Sequence, residues 1–93
     1  MSVKVNVIGH TDDNPIKTSQ FPSNWELSVT RAARAVRYLI DEGGVSPKRF
    51  TVMGRSHYEP VSSVKTAEDR AKNRRVEIII TREVDDRNPG DEL

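Results

Sequence analysis

The sequence predicts an α/β fold, an α+β two-layer sandwich with its elements in the order β-α-β-α-β and one sheet backed by helices on one face. Three observations lead there. Near the start, Val3, Val5 and Val7 alternate with Lys4 and Asn6, the two-residue period of a half-buried strand. From about Asn24 to Glu42 the apolar residues recur at helical spacing instead. Near the end, Val76, Ile78 and Ile80 alternate with Glu77 and Thr81, and Ile79 makes both faces of that strand apolar.

The first strand ends at Gly9. His10 to Pro22 holds Asp, Asn, Ser, Thr and two prolines, so it is a long loop. Ser23-Asn24-Trp25-Glu26 reads as a capping box, with Ser23 accepting from the backbone N–H of Glu26 and the Glu26 carboxylate reaching back. In the helix that follows, Trp25, Val29, Ala32, Ala33, Val36, Leu39 and Ile40 form one stripe, the expected core face. Gly43-Gly44 stops the helix and Ser46-Pro47 opens a turn. Phe50 to Gly54 is the second strand, followed by a loop with Pro60. Thr66-Ala67-Glu68-Asp69 caps a short helix to about Asn73. Residues 1–84 make one domain, and 85–93, charged and holding Pro89-Gly90, are expected to be a flexible tail.

Composition excludes several function classes. The residues are 34% hydrophobic and 31% charged, and the apolar ones fall in ordered runs, which favours a folded domain over disorder. Fifteen Lys+Arg against fourteen Asp+Glu give +1, without the basic excess of a nucleic-acid binder. The aromatics are few and the one Trp lies on the expected core stripe, so stacking on bases is not foreseen either. Absence of Cys removes disulfides and thiolate metal sites. No apolar run approaches the roughly 18 residues of a spanning helix, and no signal peptide is visible. Met1-Ser2 runs directly into a strand, so the chain reads as an excised piece.

Four polar constellations could carry chemistry. Gly9-His10-Thr11-Asp12-Asp13-Asn14 directly follows a strand, where α/β folds often place ligands; on composition alone an Asx-rich turn capping its own backbone is the favoured account. Asn24, Leu27, Ser28 and Arg31 share a helix stripe away from the expected core, either scattered surface or the wall of a small pocket. Asn73-Arg74-Arg75 opens the last strand, as solvated charge, as partners of Glu77 or Asp69, or as part of a site. His57-Tyr58-Glu59 reads as ordinary surface. A metal hydrolase built on His10, Asp12 and Asp13 is a weaker alternative, because neighbouring strand-end side chains diverge. Ser28 and Ser56 could be nucleophiles, but no motif places a base beside either.

Taken in order, these residues resemble a known signature. Gly9-His10-Thr11-Asp12, then Asn24-x-x-Leu27-Ser28-x-x-Arg31-Ala32, then Gly54, Pro60 and Asn73-Arg74-Arg75-Val76-Glu77 look like OmpA-like (outer-membrane-protein-A-like) peptidoglycan-binding domains, over about Val5 to Ile80. The long loop from Asn14-Pro15-Ile16 to Phe21-Pro22-Ser23-Asn24-Trp25-Glu26-Leu27-Ser28 resembles the flagellar-stator (MotB) branch of that family. The resemblance implies a non-enzymatic module that binds the peptidoglycan stem peptide at diaminopimelate. It places the ligand carboxylate on Asp12 and the ligand arginine on Arg31, with Thr11, Asn24 and Leu27 in support and Arg74 as a further contact. No cofactor, metal or nucleic acid is implied. The parent protein is expected to be anchored in the inner membrane beside a stator ion-channel partner, with this domain in the periplasm. A wall anchor of another system (a porin tail, a lipoprotein or a secretion-system component) is the alternative.

Two departures from the family stand out. A strand and a helix that usually precede the first strand are absent, so an exposed sheet edge and a homodimer that covers it are expected. Gly54-Arg55-Ser56-His57 replaces the small, often acidic residues of the family, leaving the role of that loop open.

Overall fold

The computed structural model describes residues 2–83; the tail at 85–93 lies outside the described residues. Its elements are β1 (Ser2–His10), α1 (Asn24–Asp41), a single 3₁₀ turn (Pro47–Arg49), β2 (Phe50–Gly54), α2 (Ala67–Asn73) and β3 (Arg75–Glu83). This is the α/β class and the β-α-β-α-β order that the periodicities predict. The sheet runs β2-β1-β3, with β1 central, parallel to β2 and antiparallel to β3.

Residues of β1 alternate between the two faces. Val5 and Val7 turn to α1 and, with Ala32 and Val36, form the buried core, against which Val3, Ala35, Ile40 and Phe50 pack. Gly9 is on the same face, and so are Phe50, Val52 and Gly54 of β2 by register. A β-carbon added to Gly9 would lie 1.9 Å from the backbone oxygen of Ser28. One added to Gly54 would lie 2.5 Å from Ser28 Oγ and from Val29 Cγ2. β1 runs one residue further than the sequence predicts, to His10. It carries glycine just before that end, and β2 ends in glycine, because the first turns of α1 rest directly on their backbone.

That contact rotates the helix from its expected orientation. Trp25 and Val29, placed on the core stripe by periodicity, are 46% and 44% exposed, whereas Leu27, assigned to the outer face, is buried. At this end the sheet offers α1 two glycines rather than apolar side chains. Ser28, fully buried, makes the close approach, Val29 lies against Gly54 with much of its surface still exposed, and Trp25 is left half exposed. Further along, Ala32 and Val36 lie in the core as expected.

The caps form with one change of detail. Ser23 accepts from the N–H of Trp25 (3.1 Å), not of Glu26, and its hydroxyl donates to the Glu26 carboxylate. That bond lowers the Glu26 pKa. Gly44, at φ 67°, sits in the left-handed region just past α1, where glycine is at ease. Thr66 accepts from the N–H of Asp69 (3.1 Å) at the start of α2.

β3 is left largely uncovered. α1 lies over β1 and β2 and barely reaches the third strand. Register puts Val76, Ile78 and Ile80 on the helix side, opposite Gly9, Val7 and Val5. Even so, Ile78 is 49% and Ile80 67% exposed.

Candidate functional site

The site is built where β1 ends. Beyond His10 the chain turns away from the sheet, and two backbone bonds hold the turn against the loop after β2. Arg55 N–H donates to the Gly9 carbonyl (3.0 Å), and Thr11 N–H donates to the Ser56 carbonyl (2.9 Å). Ser56 sits at φ 54°, a left-handed conformation that costs a non-glycine residue energy. Its N–H donates to Ser28 Oγ (3.1 Å), and that hydroxyl donates to the Trp25 carbonyl (2.8 Å). Ser28 and Ser56 thus bolt the β1 turn and the β2 loop to α1, entirely out of solvent.

Asp12 stands on this platform. Its Oδ1 accepts from the N–H of Asn14 (3.0 Å), closing an Asx turn. Its Oδ2 accepts from Nη1 of Arg74 (2.6 Å), the residue that ends α2. Thr11 Oγ1 donates to the Asp12 carbonyl (2.8 Å), and Asn24 Nδ2 donates to the carbonyls of Asn14 (3.0 Å) and Asp12 (3.4 Å). Oδ1 of Asn24 is buried without a partner. Thr11, Asp12, Asn24 and Arg74 are therefore brought together by direct bonds, although Asp12 and Arg74 are 62 residues apart in sequence.

Leu27 and Arg31 belong to the α1 stripe that starts at Asn24. Leu27 is buried and Arg31 half-buried. Among the described residues no hydrogen bond or ion pair engages the Arg31 guanidinium. It lies two turns from Asn24, about 10 Å along the axis at 1.5 Å per residue, and long helical side chains lean back toward the N-terminus. The carboxylate of Asp12 is thus paired with Arg74 here, while Arg31 is uncommitted.

Asp13, beside Asp12, takes a different set of cations. It accepts from Lys65 and from Nε of Arg70 (3.0 Å), and these bonds bring its pKa down to about 2. Arg70 and Arg74 are one turn apart, so the two adjacent carboxylates clasp the two basic residues at the end of α2. Asn73 ties in the preceding loop: its Oδ1 accepts from the N–H groups of Val61 (2.9 Å) and Ser62 (3.1 Å), and its Nδ2 donates to the Ser62 carbonyl (3.0 Å). Arg75 turns to Glu77, as one of the sequence alternatives had it.

The residues of the hydrolase alternative separate. His10 is buried with Nε2 3.1 Å from Glu77 Oε1, not aligned for a hydrogen bond, and burial lowers its pKa. Asp12 spends its oxygens on the Arg74 guanidinium and the Asn14 N–H, and Asp13 on the Arg70 guanidinium and the Lys65 ammonium. Ser28 and Ser56 bond to each other and to backbone, and among the described residues no basic side chain hydrogen-bonds either hydroxyl. Sequence reasoning missed their structural part and that of Arg70 and Lys65. The available signal was the pair of strand-ending glycines, Gly9 and Gly54, which require a small buried residue opposite them.

Comparison with known proteins gives the family and the fold. Residues 2–74 match the OmpA family. Motility protein B of Bacillus subtilis (strain 168) is 51% identical over 74 residues, 80% of this chain and 28% of that protein. The C-terminal domain of Helicobacter pylori MotB (residues 125–256) superposes with a TM-score of 0.80 at 35% identity, covering 88% of this chain and 61% of that one. The cell wall anchor of the T6SS from Pseudomonas aeruginosa superposes with a TM-score of 0.72 at 49% identity, covering 81% and 52%. The chain spans less than a third of the curated relative. It belongs to the OmpA family.

Proposed function

We propose that this OmpA-family domain is a non-enzymatic wall anchor that binds the peptidoglycan stem peptide at diaminopimelate, in the periplasm, on behalf of a membrane-anchored flagellar stator. The observation that carries it is the fixed carboxylate of Asp12 beside a helix stripe that bears the uncommitted guanidinium of Arg31. The side chain of diaminopimelate ends in an ammonium and a carboxylate on one carbon. A carboxylate and a guanidinium on facing elements answer both charges with charge-assisted hydrogen bonds. An ionised carboxylate has about four acceptor positions, so Asp12 can receive an ammonium while Arg74 and Asn14 keep their bonds. Arg74 then holds the carboxylate in place and Thr11 fixes its backbone. The orphan Oδ1 of Asn24 is an acceptor available to the same ammonium, and Leu27 lies beneath the ligand's methylenes. The resemblance to motility protein B supports the stator; the likeness to the T6SS wall anchor supports the second reading, a wall tether of a secretion system.

Co-sedimentation with purified sacculi tests the site. Asp12→Asn and Arg31→Ala are each expected to abolish binding to diaminopimelate-type wall while leaving the circular dichroism spectrum intact. Breaking one partner of a desolvated charged contact costs about 2–5 kcal/mol, enough to remove a weak binder from the pellet. Unamidated lysine-type wall, which offers Arg31 no carboxylate, should bind poorly even to the wild type. Wild-type sedimentation of both variants would refute the assignment.

A further inference from the structure

We infer that Asp13 is a positioning residue of the wall site: with Arg70 and Lys65 it forms an ionic latch that holds α2 to the β1 turn and keeps Arg74 on Asp12. The inference rests on the stem-peptide reading above and adds to it a residue that acts through another. The reason lies in how α2 is attached. Its two apolar residues, Ala67 and Ala71, are both exposed, and Asn73 is its only buried residue. No residue of α2 belongs to the hydrophobic core. The side chain of Asn73 bonds to Val61 and Ser62, in the loop that leads into the helix, so it closes that loop on α2 without fastening either to the sheet. The side-chain bonds that join this segment to the β1 turn are three ion pairs: Arg74 to Asp12, Arg70 to Asp13 and Lys65 to Asp13.

Two of the three converge on Asp13. Arg70 stands one turn before Arg74, and its carbonyl accepts from the Arg74 N–H (3.2 Å), so anchoring Arg70 fixes where the Arg74 side chain starts. The anchor is weak by construction. The Lys65 side chain is 67% exposed, and exposed pairs contribute little each and are screened by salt. Asp12 has the opposite setting, with its side chain only 11% exposed. Deprived of Arg74, that carboxylate is desolvated without a cation, and it swings out to water or takes up a proton. Releasing Arg74 also removes a cation that competes for Asp12. Burial decides against that gain, because the carboxylate no longer stays ionised and in place to meet an ammonium. The two cations bring the Asp13 carboxyl from 3.8 down to about 2. A folded-state value below the unfolded one means that the latch is complete above about pH 4 and lost only as pH falls toward 2. Salt, not mild acid, opens it.

Two measurements on the full chain test the latch, the first without ligand. Hydrogen exchange at the Arg70 and Arg74 amides, which donate to the Thr66 and Arg70 carbonyls, reports on α2. Asp13→Asn should quicken it about 3- to 10-fold, as the loss of two exposed ion pairs predicts, with β1 and β3 unchanged. Raising NaCl from about 0.05 to 1 M should do the same in the wild type, and Asp13→Glu should restore slow exchange. The second measurement is isothermal titration with the free stem tripeptide ending in diaminopimelate. Asp13→Asn should weaken binding about 3- to 10-fold and should flatten the fall of affinity with salt. In an Arg74→Ala background the same substitution should change nothing, because Asp13 acts only through that arginine. Exchange in α2 that ignores both salt and Asp13→Asn overturns the proposal. So does unchanged or tighter binding by Asp13→Asn, or an equal loss in the two backgrounds. Should Arg74→Ala bind too weakly to titrate, equal salt slopes for Asp13→Asn and the wild type overturn it instead. A wild type that does not take the tripeptide sinks the stem-peptide reading, and exchange alone then decides whether Asp13 holds α2.

Discussion

At the scale of single residues, the β1 turn separates groups that look alike in sequence. Asp12 and Asp13 are neighbours, yet the first accepts from Arg74 within a bonded turn and the second from Arg70 and exposed Lys65. His10, one position before Thr11, is sealed in with neither ring nitrogen bonded. Burial, aided by the nearby Arg75 charge, lowers its pKa from 6.5, against the weaker pull of Glu77. The folded-state value is therefore below the unfolded one, and the unfolded chain takes up the proton first as pH falls. The contribution of His10 to stability is complete above about pH 6.5 and is lost as pH falls toward the folded-state value. Melting temperatures should drop between pH 7 and 5 in the wild type and drop less in His10→Asn. Equal slopes in the two proteins would show that the imidazole does not titrate in the fold.

At the scale of elements, the helix and strand spans were legible because each has a strong period and clear stops: Gly43-Gly44, Ser46-Pro47 and Thr66. Which face of the first turns of α1 is buried was not, although Ala32 and Val36 further along lie in the core as the period predicts. Periodicity assigns the stripe with the largest apolar content, and Trp25 and Val29 outweigh Ser28 in that reading. The structure ranks closeness above size, since Ser28 is the residue that two side-chain-free strand ends admit. The same contact explains why Leu27 is buried. Of the site, Asp12, Thr11, Asn24 and Arg74 were legible only through the ordered family signature, because they lie on separate elements and no local pattern joins them. Gly9→Ala tests the packing directly: a β-carbon 1.9 Å from backbone oxygen forces α1 to move. Urea melts should show a loss of about 3 kcal/mol or more, toward the upper end for overpacking because backbone cannot yield as a side chain does. A loss under about 1 kcal/mol would show that the helix can lift off the strand freely.

At the scale of the molecule, the sheet is half covered. Ile78 and Ile80 share the face of Val5 and Val7 but have no helix above them, and the outer edges of β2 and β3 have no strand partner among the described residues. A domain of this size has only about 3–5 kcal/mol of stability even with a complete core. An N-terminal extension that covers the bare face should therefore raise the melting temperature, or else the chain should dimerise through that face. Sedimentation velocity and thermal melts of the chain with and without an N-terminal extension measure both. A stable monomer whose melt ignores the extension would mean that the six-element unit closes its own core. The central position of β1 has a mechanical consequence for a tether. Force that enters through a ligand at the Asp12 turn and leaves at the Ser2 end is directed along the strand axis. The bonds from β1 to β2 and β3 then resist in shear, many sharing the load at once, instead of unzipping singly. A strand placed at the sheet's edge, peeled from one side, would yield to a smaller pull.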